Sequence, residues 1–364
     1  MDLGELEAAG LYDPAAPNAD ARRELLAYLV DLGCTLEEMV AANERGRLFA
    51  LAGDRVILPG REQYSLADIS LATNASIADI RAIWRALGYV EAEDDEPVAS
   101  ADEVAAVQVC ADMAALLGIQ GVLGVCRVVA SSLARVADAT STAVRAQVPQ
   151  LALGVSGSEV VTARTFAGVA TFVPRIGHAL DTLFRHQLEV ARMHWERSDS
   201  GDLADSHGVR VGVGFADLSG FTSLTEGMTM TELSQLLNGF EQVAEDVVRR
   251  GDGRVVKYIG DAVMYVTHDA TAAVRVAQGL IEAARIRGMQ ARAGVAVGVA
   301  LALAGDYFGP VVNLAARLVA IASAGEILVT DEVVSQVGGA VAADALGPRS
   351  IRGFSHEIEI ARLR

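Results

Sequence analysis

The chain has 364 residues, 52% of them hydrophobic, which suits two domains and allows a sizeable core. Its formal net charge of −17 argues against broad binding to a DNA or RNA backbone, and leaves room for a local site for a small anion. Three cysteines (Cys34, Cys110 and Cys126) show no metal or redox spacing and fit reduced thiols in a cytoplasm.

The first ten residues, MDLGELEAAG, are acidic and lack the apolar core of a signal peptide. From Ala21 to about Trp195 the pattern is almost wholly helical. ARRELLAYLVDLG places apolar residues at helical spacing and ends on glycine. SLADISLATNASIADIRAIWRALGY carries two helix starts, Ser65-x-x-Asp68 and Ser76-x-x-Asp79, each read as a capping box. After the acidic connector EAEDDEP, Ala101–Gln147 reads as one or two apolar, alanine-rich helices. The longest uncharged run of this half, Met113–Cys126, is too short to span a bilayer and is expected to be a buried helix. The apolar helices around it can also enclose a lipid-like ligand, with ordinary core as the simpler account. One helix is expected from about Ser158 and another after Pro174 to about Arg197. RSDSGDLADSHG, Arg197–Gly208, is the best linker in the chain.

Beyond Gly208 strands alternate with helices, which implies an α/β or α+β sandwich. Val211–Ala216 is strand-like and Thr231–Arg250 an amphipathic helix. GRVVKYIGDAVMYV is two strands joined at Gly260-Asp261. Ala270–Arg287 is helical, RAGVAVGVALA is a strand, Asn313–Ser323 a helix, Glu326–Thr330 a strand, and IEIARL closes the chain as a strand.

Two carboxylates stand out. Asp217 ends an apolar strand and is followed by Leu218, Ser219, Gly220, Phe221 and Thr222. Gly220 allows close backbone approach to a ligand, and Thr222 or Ser223 can cap a helix, so backbone N–H groups there suit a phosphate. Asp261 sits at a hairpin tip. Each alone is accounted for by a turn or a cap. Two such carboxylates brought to one sheet edge would repel unless a cation lay between them, and Mg²⁺ or Mn²⁺ is the natural partner of carboxylate plus phosphate. Lys257, four residues before Asp261, falls on the same side of the hairpin if its strands are straight. Asn313 and Arg317 are i, i+4 on one helix face and suit a phosphoryl group or a ribose.

FADLSGFT, KYIGDAVM and GDYFGPVVNLAAR together resemble the catalytic domain of class III adenylyl cyclases, in the family's order and spacing, over about Val209–Arg364. The resemblance implies an α+β chain: a ferredoxin-like catalytic sandwich over 209–364, a linker helix and linker over 176–208, and an all-α regulatory, autoinhibitory domain over 1–175. It implies that Asp217 and Asp261, with the Leu218 carbonyl, hold two Mg²⁺ or Mn²⁺ ions per active site. It implies that Lys257 and Asp306 read adenine, so ATP is favoured over GTP, and that Gly220, Phe221 and Thr222 approach the phosphates. Asn313 would orient the ribose, Arg317 would stabilise the transition state, and Arg352 stands where the family carries a basic triphosphate contact. The implied reaction is conversion of ATP to 3′,5′-cyclic AMP and pyrophosphate in a cytoplasmic homodimer whose active sites are shared between chains.

The helical half is similar to the regulatory domain of soluble, pH-sensitive mycobacterial cyclases, on ARRELLAYLVDLG, on YSLADIS…LGY and on the layout. His178, His186 and His194 lie in its last helix at eight-residue steps, and imidazole titrates near neutral pH, so they are candidate regulatory residues beside the reading of three unrelated surface histidines. Two rival classes remain. YSLADISLATNASIADIRAIWRALGY also resembles a MerR-type DNA-binding helix-turn-helix, although its second helix has only Arg81 and Arg85 as cations. The other is an inactive, nucleotide-sensing cyclase homologue, against which the intact residue set stands.

Overall fold

The computed structural model describes residues 2–58, 63–148, 151, 153–197 and 208–364. The expected linker lies largely outside these residues, as do the side chains of His194 and Thr222. Two compact units divide between Arg185 and His186.

The first unit is helical: α1 (Leu3–Ala8), α2 (Ala19–Asp31), α3 (Leu36–Glu44), α4 (Leu51–Ile57), α5 (Leu66–Thr73), α6 (Ile77–Ala86), α7 (Ala101–Gln147), α8 (Leu153–Ser156), α9 (Glu159–Ala170) and α10 (Val173–Arg197), which runs past the unit's end. Leu25, Leu26 and Leu29 of α2 pack with Met39 of α3 and Ala163 of α9 in one core. Leu66, Ile69, Ile80, Ile83 and Trp84 of α5 and α6 pack with Val107, Val122 and Cys126 of α7 in another.

Ser65 and Asp68 form the full reciprocal cap. Ser76 accepts from the Asp79 N–H, but the Asp79 carboxylate takes its bond from the Ser76 hydroxyl at 2.7 Å, so the second cap is only half a box. Arg81 is held by Asp94 and Arg85 by Glu91, so both cations of the would-be recognition helix are already neutralised.

α7 is two helices in one, the second of the two readings that the sequence allowed. Gly118 has φ 73° and ψ 154°, non-helical angles that break it in two. The Cys110 and Cys126 sulfurs lie 3.6 Å apart, whereas sixteen residues of straight helix would separate them by about 24 Å. The chain therefore doubles back at Gly118. The run Met113–Cys126 is not uniformly buried: Val122, Leu123 and Cys126 are, but Leu116 at the bend is 83% exposed. Among the described residues, Ala101–Gln147 is the one helix long and apolar enough to cross a membrane by length and composition.

The second unit is built on β1 (Gly208–Leu218), α11 (Phe221–Thr225), α12 (Met230–Arg250), β2 (Gly253–Ile259), β3 (Ala262–Thr267), α13 (Ala270–Ile286), β4 (Ala291–Leu303), β5 (Asp306–Phe308), α14 (Pro310–Ile321), β6 (Ile327–Thr330), α15 (Asp331–Val337), β7 (Ala343–Arg349) and β8 (Ile358–Leu363). These eight strands form one sheet in the order β2-β3-β1-β4-β6-β8-β7, with β5 folded back on β4. β1, β3 and β2 are antiparallel to their neighbours, β4 pairs with β6 in parallel, and so the sheet is mixed. The first four strands with α12 and α13 make a βαββαβ antiparallel sandwich, as the resemblance implied. The helix expected at Asn313–Ser323 starts earlier, with Pro310 in its first turn after Gly309.

Each sheet face has its own core. Ala216, Leu218 and Tyr265 face α12 and α13. Val209, Val211, Val213, Phe215, Met264 and Ala296 face α14. Strand alternation therefore puts Asp217 and Arg292 on the α14 face, at the end of the sheet where β1 closes. Glycine permits the close packing here: a Cβ on Gly294 would lie 2.4 Å from the Val319 nitrogen of α14.

Candidate active site

Asp217 is the penultimate residue of β1 and pairs across the ladder with Arg292 of β4. Arg292 donates to Asp217 Oδ2 from Nε at 2.9 Å and from Nη2 at 2.7 Å. Its Nη1 donates to the carbonyls of Ala320 and Ala322 at 3.5 and 3.3 Å, where α14 ends. The guanidinium thus bridges a carboxylate and the negative end of a helix, both of which favour a cation.

Asp261 reaches the same place from the β2–β3 hairpin. Ile259 pairs with Ala262, so Gly260 and Asp261 are the two loop residues. Gly260 has φ 62° and Asp261 does not take positive φ, the pattern of a type II′ turn. The Leu218 N–H donates to the Asp261 carbonyl at 3.4 Å and joins the two chain ends. Burial pushes the Asp261 carboxyl above the usual range; a hydrogen bond from its own backbone N–H pulls it back, the charge and hydrogen bond of Asp217 push it up again, and Arg292 opposes them least. Two carboxyls in mutual contact, one with its charged form disfavoured, are a donor set that a hard divalent cation would relieve. Among the described residues no cluster of three His, Cys, Asp or Glu side chains could hold a metal. The pair suits a cation that takes its remaining oxygens from backbone, water and a phosphate.

Beyond Leu218, Ser219 donates its N–H to Gln290 at 2.8 Å, and Gly220 turns the chain at φ 75° into α11. The space beside Gly220 is open, with nothing within 4 Å of where a Cβ would stand. Phe221 is drawn into the core below.

Lys257 is not related to Asp261 by straight alternation. The β2–β3 register shifts between Val255 and Lys257, which pairs Lys257 with Met264 on the α14 face. There it forms an ion pair with Asp306 of β5. The second Asp306 oxygen accepts the Tyr307 N–H at 2.8 Å and fixes the carboxylate. Neither side chain is buried: 38% of Lys257 and 25% of Asp306 remain exposed.

Asn313 and Arg317 project from α14 into a cavity of about 460 Å³, which Arg352 and His356 of the β7–β8 connection also line. The fold therefore gathers the sequence candidates into three groups: Asp217 with Asp261, Lys257 with Asp306, and Asn313 with Arg317 and Arg352. Among the described residues no hydrogen bond or ion pair joins side chains of different groups. His178 and His186 are exposed on α10 and belong to none of them. Sequence reasoning missed Arg292 and His356. The signal for Arg292 was a lone cation in the apolar run RAGVAVGVALA.

Residues 5–191 match the model described as adenylate cyclase regulatory domain, and residues 205–360 match the adenylate and guanylate cyclase catalytic domain. The chain is 43% identical over 357 residues to an uncharacterized protein of Mycobacterium tuberculosis, covering 97% of this chain and 92% of that one. It is 30% identical over 358 residues to a pH-sensitive adenylate cyclase of Mycobacterium tuberculosis, covering 94% and 88%. Among solved structures, the adenylyl cyclase CyaB from P. aeruginosa is 26% identical, with a TM-score of 0.41 over 43% of this chain and 94% of that one.

Proposed function

The chain belongs to the class III nucleotide cyclases, and from that premise we propose that it is an adenylyl cyclase, converting ATP to 3′,5′-cyclic AMP and pyrophosphate. The observation that carries the choice of base is the Lys257–Asp306 pair. A donor beside an acceptor complements adenine, whose N1 accepts and whose 6-amino group donates. Guanine presents the opposite pattern on that edge, with a donor at N1 and an acceptor at O6.

Asp217 and Asp261, with the Leu218 carbonyl, would hold two Mg²⁺ or Mn²⁺ ions, a reading supported by the mutual contact of the two carboxyls. When bound, these ions supply an electrophile that acidifies the ribose 3′-hydroxyl and offsets the triphosphate charge. The chain's own groups do the rest. Asn313 positions the ribose so that its 3′-oxygen lies in line with the bond from the α-phosphorus to the β-phosphate bridge. The new O3′–P bond forms as that bridge bond breaks, the 3′-proton is released, and pyrophosphate leaves. Arg317 donates to the α-phosphoryl oxygens, where charge develops. Arg352, and Arg292 once released from Asp217, bind the outer phosphates, while the open backbone at Gly220, Phe221 and Thr222 lies beside them.

The three side-chain groups share no bond within one chain, which supports a homodimer whose sites combine the aspartates of one protomer with Lys257, Asp306, Asn313 and Arg317 of its partner. Residues 1–175, with the 176–208 linker, would restrain the catalytic part at 209–364. The three free cysteines suit a cytoplasmic protein. His178, His186 and His194 would bias the restraint with pH, a reading supported by the pH-sensitive relative.

The test is turnover by the purified full chain with ATP or GTP, with Mg²⁺ or Mn²⁺, from pH 5.5 to 8. Cyclic AMP and pyrophosphate in equal amounts are expected. Cyclic GMP as the main product would overturn the base assignment, and no cyclic product with either metal would overturn the activity. A pH profile unmoved by replacing the three histidines with Gln would remove them from regulation.

A further inference from the structure

His356 has no place in the reaction as drawn, yet it lines the same cavity of about 460 Å³ as Asn313, Arg317 and Arg352. It lies in the connection after β7, four residues beyond Arg352, and is solvent-exposed. The groups facing it are Arg317 from α14 and Arg352 from its own connection. No carboxylate lines the cavity among the described residues, since the nearby Glu357 and Glu359 are not part of its wall. Such a wall, with two permanent cations, an amide and an imidazole, is built for an anion with several oxygens.

From this placement we infer that His356 is a further polyphosphate contact, one that works only when its ring is protonated. The inference rests on the proposed use of Arg317 and Arg352 as phosphate ligands. Imidazole is the side chain whose charge changes across pH 5 to 8. A bound polyphosphate brings negative charge to the wall that carries the ring and so favours its charged form. Proton uptake and anion binding are therefore linked: each favours the other by the same factor. In consequence the enzyme holds the outer phosphates of ATP, and the pyrophosphate it releases, more tightly in acid than in base. The device belongs to the catalytic part and is independent of the α10 histidines.

The experiment measures affinity of the full chain for inorganic pyrophosphate, with Mg²⁺ at fixed concentration, at pH 6.0 and 8.5. Pyrophosphate itself titrates in this range, so each value is compared with that of His356→Gln under the same condition. Wild type should bind about three- to fivefold tighter than His356→Gln at pH 6.0, the scale of an exposed charge pair, and equally at pH 8.5. His356→Lys, with a permanent charge, should hold the advantage at both pH values. An equal ratio at both, or none at either, would overturn the inference. If cyclic AMP still forms while the ratio is flat, the adenylyl cyclase reading stands without it. If the ratio follows pH while no cyclic nucleotide forms, the phosphate contact stands and that reading falls.

Discussion

Arg292 and Asp217 face each other across the β1–β4 ladder, and two guanidinium nitrogens close on a single carboxylate oxygen. A side chain proposed to hold a cation is thus held by a cation of the protein's own. The pairing answers a physical need, because Asp217 also touches Asp261, and two carboxyls in contact are costly without a positive neighbour.

Removing each member of the pair should separate the roles. Arg292→Ala is expected to raise KM for ATP by about ten- to a hundredfold, with a smaller fall in kcat. Asp217→Ala should lower kcat by about a thousandfold or more and leave the chain folded. Steady-state kinetics with a melting curve for each variant checks both. An Asp217→Ala enzyme with near-normal turnover would refute the metal role.

The Lys257–Asp306 pair predicts base selectivity. Lys257→Glu combined with Asp306→Cys should reduce kcat/KM for ATP by about a hundredfold, and GTP should lose far less, since only adenine is left with unpaired polar groups. Competition between the two nucleotides reads the ratio directly. An unchanged preference for ATP would mean that the base is recognised elsewhere.

Shared sites predict rescue between two dead variants. A purified heterodimer of one Asp217→Ala chain and one Arg317→Ala chain, carrying different tags, contains one fully intact site of two. It should show about half the wild-type activity per dimer, although each parent is inactive. If the heterodimer is as dead as its parents, the two residue sets do not meet across a subunit interface.

The thiol of Cys110 is pushed up to about 12, chiefly by burial and then by Cys126. The neutral thiol is therefore favoured in the fold. Its contribution to stability is complete below the unfolded thiol's pKa and is lost as pH rises from there towards 12. At pH 8 the native chain should react with iodoacetamide at Cys110 about a hundredfold more slowly than an unfolded control. Mass spectrometry of the labelled peptide gives the rate, and fast labelling of the native chain would contradict the packed arrangement of α6 and α7.

The strands carrying the motifs were legible because each is a short apolar run bounded by glycine or a charge: β1, the β2–β3 hairpin and β4 are where alternation and turn chemistry place them. β5 and β7 were not legible. β5 has three residues, Asp306–Phe308, and β7 contains Gly347 and Pro348 and carries a register shift at Ala345. Lys257 and Asp306 were paired by the family resemblance and not by local pattern, because their contact is made by the shift at Val255 and the fold-back of β5, both non-local. The same limit hid the Cys110–Cys126 contact. Their spacing carries no motif, and it took the bend at Gly118 to bring the sulfurs together. Arg292 was visible only as an anomaly, a charge inside an apolar strand, because its partner lies on a neighbouring strand 75 positions away in sequence.

α14 seats its backbone against Gly294 so closely that one added methyl would collide with the Val319 nitrogen. That helix also bears Asn313 and Arg317, and its last carbonyls receive Arg292. A screen that scored only turnover would therefore rank Gly294 beside the residues proposed to touch the nucleotide. Its substitution would tilt the whole helix and misalign both guanidiniums at once, although Gly294 itself has no side chain to offer a substrate.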